Sequence, residues 1–152
     1  MNSEKLIEQI SQRAILIRTE AGYSQETMAS ILGISKKTLV QIEKNRTAAS
    51  WTVVVAIIAL FSDSEIIQSL LGDAPLEVIR TIAHNGLDRP KGKTLGGKVW
   101  WKELENESEF RIQQNLISQH FRILDKEDYV WFSTFDEQEV LERFHELSQI
   151  KR

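Results

Sequence analysis

The sequence predicts an α+β chain in which an N-terminal five-helix domain is followed by a small antiparallel β-meander with a C-terminal helix. Three observations carry this. Apolar residues recur at steps of three and four from Leu6 to Leu71, the spacing of one helix face. Between Asn85 and Lys98 the composition shifts to Gly, Pro and Lys, as in NGLDRPKGKTLGGK. Beyond Val99 the period shortens to two in four short aromatic-rich runs, before helical spacing returns after Asp136.

The first helix spans Asn2 to Ala21, with Leu6, Ile10, Ala14 and Ile17 on one face and Gly22 as its stop. Ser24 is an N-cap residue and opens a second helix with Met28, Ile31 and Leu32 inward; Thr27 at the third position leaves the capping box incomplete. Ala29 is small, as a close helix crossing requires. Gly33 falls where this helix must stop and the chain must turn, because Gly takes positive φ without strain. Ile34 plugs the turn into the core. Ser35 caps a third helix that buries Leu39 and Ile42, and Asn45 ends it, the next-best residue after Gly for a left-handed cap. Ser50 caps a fourth segment, Trp51 to Phe61, which is almost wholly apolar. Its β-branched run is compatible with a buried helix or with a strand. Asp63 is taken as the cap of a fifth helix carrying Ile66, Ile67, Leu70 and Leu71, with Gly72 after it. Pro75 suits the start of a further short helix within 73–82.

The third helix carries the functional signal. With Leu39 and Ile42 buried, its outer face holds Lys36, Lys37, Val40, Gln41 and Lys44. Lysines in a first turn oppose the helix dipole, so they add nothing to helix stability there. They suit an end that meets phosphates. Lys can donate to guanine O6 and N7, and Gln can pair with the adenine edge.

The segment SQETMASILGISKKTLVQIEKN resembles the Cro/phage-repressor (xenobiotic-response-element type) helix-turn-helix family. The resemblance runs from about Leu6 to Leu71 and rests on the Ser-Gln opening, the small residue, the Gly turn and the closing Ile-Glu. It implies a lambda-repressor-like domain, and it implies a helix at Trp51–Phe61. It implies that Gln25 contacts a phosphate and that Lys36, Lys37, Thr38 and Gln41 face base edges or nearby phosphates. Lys44, Asn45 and Arg46 would approach the DNA backbone. It also implies a structural ion pair between Arg18 and Glu43. Asn45 stands where the family usually has Gly, and Val40 is an apolar departure suited to a thymine methyl.

Composition bounds the rest. The chain has 152 residues, 41% of them hydrophobic, and no Cys, so a disulfide frame or thiolate metal site is excluded. The longest apolar run, Val53 to Phe61, is far short of the ~20 residues of a membrane span. The N-terminal MNSEKLIEQI lacks signal-peptide features, and a cytoplasmic location is expected. Net charge is −3; residues 1–71 balance seven Lys/Arg against seven Asp/Glu, so the remaining 12 basic and 15 acidic residues carry the whole excess. DNA binding would then depend on a local basic face.

The sequence divides into a helix-turn-helix domain at 1–72, a connecting helix and Gly/basic linker at 73–98, and a sheet-plus-helix domain at 99–152 for dimerisation or sensing. The linker's Arg89, Lys91, Lys93 and Lys98 read as solvated charge or as a phosphate-tracking arm. Gly92-Lys93-Thr94 lacks the upstream Gly of a P-loop. Strand-like runs fall at Val99–Leu104, Phe110–Gln114, His120–Leu124 and Tyr129–Phe135, with polar turns at Asn106–Ser108, Asn115–Ser118 and Asp125–Asp128. Asp136 caps the closing helix, whose inner face is Val140, Leu141, Phe144 and Leu147. Trp100, Trp101, Phe121, Tyr129, Trp131 and Phe135 serve a small core, a dimer interface or a ligand pocket.

Enzyme chemistry finds little support. His84, His120 and His145 form no metal-ligand spacing, and no nucleophile elbow occurs. Glu103, Glu105, Glu107 and Glu109 recur at a step of two, which on a regular strand places them on one side. That pattern reads as a solvated face. The expectation is a sequence-specific regulator of transcription, a repressor in type, that binds double-stranded DNA as a homodimer and needs no cofactor or metal. An antitoxin-type autorepressor, or an interaction adaptor whose C-terminal domain binds a partner protein, is the alternative, and a small-molecule sensor overlaps with the first reading.

Overall fold

The computed structural model describes residues 1–86, 100–107 and 109–150. Chain contacts divide it into two units, Met1–Pro90 and Lys91–Arg152.

The first unit holds α1 (Ser3–Ala21), α2 (Gln25–Leu32), α3 (Lys36–Glu43), α4 (Trp51–Leu60), α5 (Glu65–Leu71) and α6 (Pro75–Ala83). Each boundary has a local cause. The side chains of Asn2, Ser24, Ser35 and Ser50 accept from the backbone N–H three residues on, which satisfies one orphan donor per helix. Gly33 takes φ 71, so its N–H reaches Ser30 O and that of Ile34 reaches Ala29 O. The same pair of bonds closes α3. Asn45 sits at φ 57, its N–H donates to Ile42 O, and Arg46 N–H donates to Gln41 O.

α5 departs from expectation at its start. Its cap is Ser64, whose Oγ accepts from Ile67 N at 3.3 Å, while Asp63 lies exposed outside the helix. Two capping residues stand side by side, and the one three residues before the orphan N–H takes the bond. Ile31 is also exposed, although it falls at the apolar spacing of α2.

The core of this unit packs Leu6, Ile10, Ala14 and Ile17 of α1 against Met28, Ala29, Leu39, Ile42, Val54, Ile57, Ile58 and Ile67. The β-branched run of α4 is helical because Val53, Val54, Ile57 and Ile58 are all buried against surrounding helices, α1, α2 and α6 among them. Burial there outweighs the strand preference of the residues. α6 is the short helix expected after Pro75, and it packs on α4 and α5 with Ile79 buried. A single buried hydroxyl closes the loop after α3, where Ser11 Oγ accepts from Ala49 N at 2.9 Å. No single helix among the described residues is long and apolar enough to cross a membrane, and the bent pair α4–α5 that passes on length and composition contributes to this core.

The second unit is a four-stranded antiparallel sheet, β1 (Trp101–Glu107), β2 (Phe110–Asn115), β3 (Phe121–Asp125) and β4 (Val130–Thr134), in the order β1-β2-β3-β4. α7 (Glu137–Ile150) lies on one face, opened by Asp136, whose Oδ1 accepts from Gln138 N and Glu139 N. Phe110, Ile112, Phe121 and Ile123 meet Val140, Phe144 and Leu147 in the core between sheet and helix. Leu141, placed on the inner face by its spacing, is 37% exposed.

β1 runs on through Asn106 and Glu107, which pair with Arg111 and Phe110, where a turn was expected. Its register slips between Glu103, opposite Gln113, and Glu105, opposite Ile112. Gln113 and Ile112 point to opposite faces, so the carboxylates of Glu103 and Glu105 are separated rather than aligned. The extra residue, Leu104, packs against the core. The one-sided row of acids read from the two-residue step therefore does not form.

Candidate nucleic-acid interface

α3 is fixed from beneath by Leu39 and Ile42, which are 0% and 1% exposed. Its periodicity then turns Lys36, Lys37 and Thr38 to solvent, with Val40 and Gln41 half-buried beside them. Lys44, Asn45 and Arg46 are exposed in the turn that follows. Gln25 stands at the N-terminus of α2, half-buried. Thr38 also belongs to the cap, since its N–H donates to Ser35 Oγ at 3.1 Å and the two hydroxyls lie 2.8 Å apart.

A charged joint at its C-terminal end ties α3 to the helices beside it. Arg18 Nε donates to Glu43 Oε2 and Arg18 Nη2 to Glu43 Oε1, both at 2.9 Å. Arg18 Nη1 donates to Tyr23 O at 2.9 Å, across the α1–α2 turn. The Glu43 side chain is 3% exposed and that of Arg18 17%. The hydrogen bond to Glu43 raises the Arg18 pKa above its ordinary value, against the opposing effect of burial. A bidentate fork of this kind fixes orientation as well as charge. Gln25 Nε2 joins it, donating to Glu43 Oε1 at 3.2 Å. One carboxylate on α3 is thereby tied to α1 and α2 together.

Two of these links lie beyond what the sequence reveals. The Gln25–Glu43 bond spans 18 residues and the exposed Lys36–Glu26 ion pair, at 3.2 Å, spans 10. Both cross the turn, and neither has a local pattern. The Lys36–Glu26 pair has side chains 53% and 76% exposed, so it contributes little and can exchange for a phosphate. Gln25 carries a second amide hydrogen that its bond to Glu43 does not use. Between Ser24 and Ser50 the exposed charges are Lys36, Lys37, Lys44 and Arg46 against Glu26. This face is therefore locally basic on a chain of net charge −3.

The other sequence candidates fall elsewhere. Apart from Asn85 and Gly86, the basic linker stretch lies outside the described residues. Of the aromatics, Phe121 is in the core of the second unit, whereas Trp100, Tyr129, Trp131 and Phe135 are exposed. Trp101 carries the Arg122 guanidinium 3.4 Å above its ring and meets His120 edge-on at 5.0 Å. Burial and the neighbouring Arg111 lower the Arg122 pKa. Among the described residues no three His, Asp or Glu side chains converge on a metal-sized site.

Residues 16–62 match the helix-turn-helix family model, of the Cro/C1 type, over the end of α1 through α4. That family binds DNA, and the match makes this part of the chain a DNA-binding regulator module of the helix-turn-helix type. No curated protein and no solved structure matches the chain.

Proposed function

We propose that the chain is a sequence-specific transcriptional regulator, a repressor in type, that binds double-stranded DNA as a homodimer in the cytoplasm. α3 enters the major groove and α2 crosses the backbone. Lys36, Lys37, Thr38 and Gln41 meet base edges and adjacent phosphates, while Gln25, Lys44, Asn45 and Arg46 hold the backbone. The observation that carries this is the exposed, locally basic face of α3, held by the Arg18–Glu43–Gln25 joint. A single module of this size buries little DNA surface, so specificity calls for two copies on one site. In this reading residues 1–72 bind DNA and residues 99–152 supply dimerisation or sensing.

The test is fluorescence anisotropy on the preferred site and its single-base variants. Gln41→Ala and Lys36→Ala should each weaken binding by about 1–3 kcal/mol and relax the preference at one base pair. Gln25→Ala should weaken all sequences alike. An unchanged base preference in Gln41→Ala would show that the register of α3 in the groove is wrong. Absence of any DNA affinity at low salt would favour an adaptor that binds protein.

A further inference from the structure

A four-stranded meander leaves two edge strands, here β1 and β4, each with outward backbone N–H and C=O groups. The two edges are built differently. β1 carries Glu103, Glu105 and Glu107, all exposed, together with its bulge. Two copies of β1 side by side would bring the carboxylates of Glu105 and Glu107, which share a face, together, and like charges across strands are destabilising. The other edge, from Tyr129 to Phe135, reads YVWFSTF and contains no charge and no Pro. Tyr129 is 66% exposed, Val130 52% and Phe135 77%. Trp131 at the bulge bonds Asp125 Oδ2 through Nε1 at 2.9 Å. Among the described residues β4 pairs with β3 alone.

We propose that β4 is the edge through which two copies of this chain pair, antiparallel about a two-fold axis, to make one continuous eight-stranded sheet. This deepens the homodimer reading above and rests on it. The occupant is a second copy because the edge is self-complementary. An uncharged strand meets its own image without repulsion, and a two-fold axis normal to a sheet edge makes an antiparallel pair. A charged partner strand would find no counter-charge from Tyr129 to Phe135. The β-branched and aromatic residues are those that pack well across strands. The register slip at Trp131 turns that end of the strand, which centres the pairing on Phe132–Thr134.

The test uses the full chain. Sedimentation velocity across a concentration series should give a dimer of the 17.5 kDa chain. Val130→Lys/Ser133→Lys should weaken that dimer at least tenfold and leave the melting temperature of diluted, monomeric protein unchanged. Because the chain has no Cys, single cysteines placed in turn from Val130 to Phe135 report the contact directly. At or beside the two-fold axis, Cα atoms come within the roughly 4.4–6.8 Å that a disulfide spans. At least one position should cross-link under mild oxidation, and cysteines at Glu103, Glu105 or Glu107 should not. The scan decides the matter if the lysine variant fails to fold. A dimer that survives both lysines and gives no β4 cross-link would overturn this surface and leave the dimeric reading standing. A monomer at every concentration would overturn both.

Discussion

Arg18→Met removes the guanidinium that meets the buried Glu43 carboxylate in two 2.9 Å bonds and also bridges to Tyr23 O. The change keeps most of the apolar stem and deletes the charge. What remains is a carboxylate 3% exposed that, among the described residues, keeps the Gln25 amide as a partner. Breaking one side of such a pair costs about 3–5 kcal/mol. Arg18 keeps 17% of its side chain in water, which argues for the lower end, about 3 kcal/mol. A unit the size of Met1–Pro90 has roughly 5–13 kcal/mol of stability to lose. In a domain of this size the melting point should fall by roughly 12–24 °C. Far-ultraviolet circular dichroism on heating and in urea reads the loss of the helical unit. Arg18→Met/Glu43→Leu should recover most of it, because an apolar pair of similar volume carries no desolvation penalty. The coupling energy should be about 2 kcal/mol or more. If Arg18→Met costs less than about 1 kcal/mol and the two single changes simply add, the joint does not hold α3.

Two further substitutions test the same unit. Ser11→Ala leaves the buried Ala49 N–H without the 2.9 Å bond it makes and should cost about 1–3 kcal/mol in urea denaturation. Asn45→Gly relieves a non-glycine residue held at φ 57 and should raise stability by about 0.5–1 kcal/mol, read as a higher melting temperature.

Helices and strands were legible where their causes are local. Ser24, Gly33, Ser35 and Asn45 mark the bounds of α2 and α3, because caps and left-handed turns act within three or four residues. The run from Trp51 to Leu60 was not legible by itself. Its β-branched residues favour a strand, and only the helices surrounding Val54, Ile57 and Ile58 decide otherwise. The adjacent caps Asp63 and Ser64 differ by one residue of register, which composition does not resolve. On β1 the two-residue step misled, because a bulge at Leu104 changes the face without changing the spacing in sequence. At the interface, the residues exposed on α3 follow from subtracting Leu39 and Ile42. The tie from Gln25 to Glu43 and the Lys36–Glu26 pair depend on the angle at which α2 meets α3, and that angle is set by the whole core.

The most direct test of the central claim is selection of genomic DNA fragments by the purified chain, followed by affinity across a salt series. A dimeric sequence-specific regulator should enrich one short two-fold sequence. Lys36, Lys37, Lys44 and Arg46 on each of two copies should give a log–log salt slope of roughly −7. Binding that is weak, uniform across sequences and nearly independent of salt would contradict it.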